Sequence, residues 1–182
     1  MPDAEDQQHC DKDVLILAFA RLAATEGWTE KTLTRFCREH GITATEQGQY
    51  WPNGIRSLGH GLNIYADAHT QADFQQKGKQ PLSLILRRRF EQNEPFKFSV
   101  LSLARSDLWH PVDTFRRTWK TASLFWQVQD RPISGATLWQ NLKTGLLVIF
   151  YSLCVLIWLS DKPPYRRLGV WVQVTARILG AR

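Results

Sequence analysis

At 182 residues and 21.1 kDa the chain has room for one domain, or a small domain with an appended helix, and two large domains are excluded. A hydrophobic share of 43%, a charged share of 22% and a mean hydropathy of −0.32 describe a chain able to bury a core, which excludes wholesale disorder and a multi-span membrane protein. Residues 1–130 carry sixteen Lys/Arg against sixteen Asp/Glu, whereas residues 131–182 carry seven against Asp161 alone, so the net +6 sits entirely in the last fifty-two residues and points to an acidic partner, nucleic acid or an anionic membrane.

Residues 1–13 are polar and mostly acidic, with neither the order of a secretory signal nor an Arg/Ser-rich transit pattern, and read as a flexible tail. From Val14 apolar residues recur at helical spacing until Gly27. Thr29 caps a second helix running to Glu39, with Leu33, Phe36 and Cys37 on one face, and His40-Gly41 supplies a left-handed exit. Gly41-Ile42-Thr43 starts a short third helix that Tyr50-Trp51-Pro52 closes. A fourth runs from about Asn53 with Ile55, Leu58, Leu62, Ile64, Tyr65 and Ala68 inward, and the polar run from Gln71 to Gln80 reads as its end and a loop. Leu82–Gln92, Phe98–Ser106, Pro111–Asp130, Ala136–Leu159 and Tyr165–Leu179 follow as helices, and no stretch alternates long enough for a sheet. The predicted fold class is all-α, about nine helices, divided into the tail at 1–13, a helix-turn-helix region at 14–68 and a carboxyl-terminal region at 69–182.

Three features bear on function. The helix, turn and helix across Lys31–Trp51 look like the amino-terminal module of TetR-type repressors, yet Gly41–Ile55 holds no Lys or Arg and carries Glu46. A reader of DNA needs cations against phosphate there, so the module is expected to serve packing, Arg35, Arg38 and Arg56 at its edges being the counter-argument. Second, the seventeen residues between Lys143 and Asp161 are uncharged. They span roughly 25 Å as a helix, short of the roughly 30 Å of a bilayer core, so the segment is expected in the core, along an apolar cavity or at a dimer interface rather than across a membrane. Third, Trp158, Tyr165 and Trp171 mingle with Lys162, Arg166, Arg167 and Arg177. Val170, Trp171, Val174 and Ile178 share one stripe of the last helix, and core packing and membrane docking both remain open for it.

No catalytic constellation is present: no GxSxG, HExxH, P-loop or dinucleotide glycine pattern, and the five histidines lack metal-ligand spacing. His60, between Gly59 and Gly61, reads as a packing or surface residue. Catalytic residues, metal and cofactors are therefore all expected to be none. Cys10, Cys37 and Cys154, odd in number and far apart, argue against a disulfide framework or a zinc ribbon and fit a reducing compartment.

Two ordered blocks carry a family resemblance. The first is Glu26-Gly27-Trp28-Thr29-Glu30-Lys31-x-Leu33, then Gly41-Ile42-Thr43, Trp51-Pro52-Asn53-Gly54-Ile55-Arg56-Ser57-Leu58 and Tyr65-Ala66-Asp67. The second is Phe125-Trp126, Asp130, Ser134, Leu138-Trp139, Lys143, Tyr151-Ser152, Leu156, Trp158-Leu159-x-Asp161-Lys162 and Pro164. Together they resemble the TetR-like lipid-binding accessory protein of coenzyme Q (ubiquinone) biosynthesis, the Coq-nine family. That resemblance implies a TetR-like helical bundle whose helix-turn-helix is degenerate and whose carboxyl-terminal helices enclose an apolar pocket for isoprenoid lipids. It further implies a homodimer that presents quinone intermediates to a membrane-associated hydroxylase, peripheral at the inner membrane on the cytoplasmic side in a bacterium or the matrix side in a mitochondrion. On this reading Phe125, Leu146, Phe150, Leu153, Leu156 and Ile157 line the lipid sleeve, chosen by helical spacing. Trp139 contacts the hydroxylase, although Trp139-Gln140 stands where the family has Trp-Tyr. Arg166, Arg167, Trp171 and Arg177 face the anionic membrane surface, with more of that work to do because mitochondrial members continue into a further amphipathic helix. The alternative is a TetR-type transcriptional regulator with a hydrophobic ligand pocket.

Overall fold

The computed structural model describes residues 4–74, 80–129 and 138–179, with side chains from Lys12 onward. The elements in order are α1 (Ala4–Glu26), α2 (Glu30–Glu39), α3 (Ala44–Tyr50), α4 (Ile55–Phe74), α5 (Leu82–Asn93), a 3-10 turn at Glu94–Phe96, α6 (Lys97–Asp107), α7 (Pro111–Val128), α8 (Leu138–Ser160) and α9 (Arg166–Ile178). No strand occurs among the described residues, and the chain is an all-α protein. Part of the polar run after Gln71 (residues 75–79) and the Asp130 and Ser134 of the carboxyl block lie outside the described residues.

The helix starting at Ala4 takes in most of the segment expected as a tail. That segment lacks an apolar rhythm, yet its backbone runs as one continuous helix into the apolar residues that begin at Val14.

The chain divides into two compact units, Met1–Tyr65 with Phe96–His110, and Ala66–Pro95 with Pro111–Arg182. The break falls inside α4, between Tyr65 and Ala66. The assignment of α6 does not follow the expected division, because α6 belongs with the amino-terminal unit. The reason is local: buried Trp28 donates its indole N–H to the Ser99 carbonyl of α6 at 2.9 Å, and Phe96 and Leu103 pack on the core of Phe19, Leu33 and Phe36.

In the amino-terminal unit the helix ends follow side-chain chemistry. Thr29 Oγ1 accepts from the Thr32 N–H at 3.1 Å, and Thr43 with Glu46 forms a reciprocal capping box. The Trp51-Pro52-Asn53-Gly54 step has its own cause. Gly54 sits at φ +56, where a Cβ would come within 2.5 Å of the Glu30 carboxylate, and that carboxylate accepts from the Ile55 N–H at 3.3 Å to cap α4. In α4, Leu58 and Leu62 are buried as expected, whereas Ile64 and Ala68 turn to solvent, and Ala66 and Thr70 take the inward positions.

In the carboxyl-terminal unit α8 presents Thr144, Leu147, Val148, Tyr151, Cys154 and Trp158 to the interior. Phe125 of α7 meets Tyr151 edge-on at 5.3 Å, and Phe90 of α5 lies 5.8 Å from Tyr151 and 5.5 Å from Trp158. A polar cluster is set among these rings. Arg89, 1% exposed, places Nη2 at 2.8 Å from Asp67 Oδ1, and Thr121 donates to the same carboxylate at 3.0 Å. Burial pushes the Asp67 carboxyl up, and the opposing pull of Arg89 and Thr121 is the smaller effect.

The hairpin from α8 to α9 is held by two acids. Asp161, the lone acid of the basic region, accepts from the backbone N–H groups of Arg167 and Leu168 at 3.1 and 3.2 Å, capping α9. Glu94 accepts from Trp158 Nε1 at 2.9 Å and from the Tyr165 hydroxyl, securing Tyr165 in the left-handed region at φ 54.

Candidate functional site

The residues selected for the lipid sleeve do not come together on one interior wall. Phe125 is fully buried against Tyr151. Leu146, Leu153 and Leu156 point the other way, 37%, 40% and 61% exposed, and Phe150 and Ile157 are half-buried on the flank between the two faces. Of the placements expected for so apolar a helix, the core accounts for one face only. α8 carries two apolar stripes on opposite faces, one packed against its own unit and one open. The open stripe is Trp139, Leu142, Leu146, Ile149, Leu153 and Leu156, spaced alternately by three and four residues. Leu142 and Ile149 were missed by sequence reasoning, and that alternating spacing was the signal that could have found them.

Length does not exclude a membrane span, as the seventeen-residue estimate suggested. α8 has 23 residues, roughly 34 Å, and is long and apolar enough to cross a bilayer by length and composition, with 33% of its most apolar window buried.

On α9 the inward residues are Leu168, Val172, Thr175 and Ala176. The stripe for which core packing stood open is outward: Val170, Trp171 and Ile178 are exposed, and Val174 is half-buried. Arg166, Arg167 and Arg177 are exposed too. They do not form one cluster, because Arg166 and Arg167 open α9 while Arg177 lies in its last turn, roughly 15 Å further along. Trp139 is exposed in the first turn of α8, with the Lys143 ammonium 5.6 Å from its ring centroid.

The expected reader helix α3 has no buried residue and no cation, and its Glu46 carboxylate is engaged by Thr43. Among the described residues no group of three His, Cys, Asp or Glu side chains is placed to hold a metal ion. Cys37 and Cys154 are buried free thiols, both pushed up by desolvation. No family model, curated protein or solved structure matches this chain.

Proposed function

We propose that the chain is a non-enzymatic lipid-binding protein of ubiquinone biosynthesis, which binds isoprenoid quinone intermediates and presents them to a membrane-associated hydroxylase. The observation that carries this reading is the open stripe of α8, most of it in a segment uncharged for seventeen residues, together with the outward apolar face of α9. A contiguous apolar strip of this length demands cover in water. A prenyl tail supplies it, since burial is worth about 0.8 kcal/mol per CH₂. The lipid site is thus an open strip built on Leu146, Leu153 and Leu156, with Phe150 and Ile157 at its margin, and a second copy laid against it closes the wall in a homodimer. Trp139 remains the residue for hydroxylase contact, and the basic side chains of α9 serve a peripheral position at an anionic inner membrane.

Two rivals are weaker on specific grounds. A TetR-type regulator needs cations on α3, which has none. A single-span protein would surround α8 with lipid, whereas Leu147, Tyr151, Cys154 and Trp158 pack against protein. The test is organic extraction of the protein purified from a quinone-producing host, followed by mass spectrometry. A prenylated quinone or related isoprenoid is expected in the extract, and repeated recovery of lipid-free protein overturns the reading.

A further inference from the structure

α7 and α8 run parallel. Trp119 lies 3.8 Å from where a Cβ would stand on Gly145, and Phe125 meets Tyr151, so both contacts join residues 26 apart in sequence. The same register carried toward the helix starts brings Val112 and Phe115 level with Leu138 and Asn141. α9 runs the other way, with Thr175 beside Cys154, and it ends at Ile178 near the middle of α8. The opening turns of α7 and α8 therefore project past α9 at one end of this unit. What they carry there is apolar and open: Val112, Phe115, Leu138, Trp139 and Leu142 are 51% to 88% exposed. Arg116 and Lys120 are exposed beside them and Lys143 is half-exposed, against Asp113 as the acid of these turns.

We infer that this end of the carboxyl-terminal unit is where the protein enters an anionic phospholipid surface. The opening turns of α7 and α8 sit in the interfacial layer, with Val112, Phe115 and Leu138 at the acyl boundary, Trp139 at the rim where a membrane-associated hydroxylase would meet the chain, and Arg116, Lys120 and Lys143 against the phosphates. Indole and phenyl rings favour that layer, and each cation near an anionic leaflet adds to the attraction. The inference rests on the peripheral membrane position proposed above and assigns its apolar entry to this end, leaving the cations of α9 a weaker, electrostatic share. Arg166 and Arg167 lie at the other end of the α8–α9 pair, so the two placements are separable.

The experiment is co-sedimentation of the full chain with phosphatidylcholine vesicles, with and without phosphatidylglycerol, for the natural chain, Val112→Ser/Phe115→Ser and Arg166→Glu/Arg167→Glu. All four positions are solvent-facing, and circular dichroism checks that the variants fold. The serine pair is expected to bind anionic vesicles about tenfold less or weaker still, and the glutamate pair less affected. Brominated-lipid quenching of tryptophan emission, normalised to the bound fraction, is expected to fall in Trp139→Phe. Unchanged vesicle binding by the serine pair, or unchanged quenching in Trp139→Phe, overturns the placement and leaves lipid extraction untouched. If the serine pair instead turns a vesicle-free dimer into monomers, the surface is an interface between copies and the inference falls. If the natural chain binds no vesicles, the membrane contact itself falls, whatever lipid the extraction recovers.

Discussion

Arg89 and Asp67 meet at 2.8 Å in the interior of the carboxyl-terminal unit, a guanidinium and a carboxylate drawn from α5 and α4 into the shelter of aromatic rings. Each is tolerable there because of the other. Breaking such a pair leaves an uncompensated buried charge, which costs more than the pair contributes. Arg89→Met is expected to lose about 3–5 kcal/mol in urea unfolding, and adding Asp67→Leu is expected to restore part of it.

The pH dependence of that pair has a definite sign. The folded Asp67 carboxyl lies above its ordinary value of 3.8, so its contribution is fully present below that value and is lost as pH rises through the folded value. Asp67→Asn should flatten this segment of the stability profile, measured as urea midpoints across the acid range. An unchanged profile in Asp67→Asn would show that other carboxylates produce it.

Tyr165 sets a second, alkaline dependence. Desolvation first, and then the hydrogen bond and charge of Glu94, push its phenol up to about 12 from the ordinary 10.0. Its stabilisation is complete below the ordinary value and disappears as pH rises through about 12. Tyr165→Phe should therefore lose less stability over that window than the natural chain, read by denaturant midpoints above neutral pH.

The two faces of α8 predict opposite phenotypes. Leu147→Ala empties a fully buried position and should cost about 2–5 kcal/mol. Leu153→Ala, on the open stripe, should stay within about 0.5 kcal/mol of the natural stability while the prenylated lipid recovered by extraction falls. Equal stability losses for the two would mean that Leu153 is packed inside its own unit and not on an open stripe.

Duplex DNA provides the contrast on α3. Fluorescence anisotropy with random-sequence duplex at low salt should show only weak binding without sequence preference, because α3 brings no cation to the phosphates. A tight complex that weakens steeply with salt would return the chain to the class of regulators.

Helix ends were legible in the residues because they are decided within a few positions of the chain. Thr29, Thr43 with Glu46, Gly27 and Gly41 place the end of α1, both ends of α2 and the start of α3 by hydrogen bonds and left-handed backbone. The all-α class and the inward face of α2 followed from the same local chemistry, since charge marks one side of α2 as solvent. α8 offered no such mark. Its period is satisfied by two apolar stripes, and only the positions of α5, α7 and α9 decide that Tyr151 and Trp158 go inside while Leu146, Leu153 and Leu156 do not. Asp67 with Arg89 and Glu94 with Trp158 join elements 22 and 64 residues apart, beyond what local spacing encodes. An apolar side chain is satisfied by whichever surface covers it, so the choice between faces belongs to the assembled bundle.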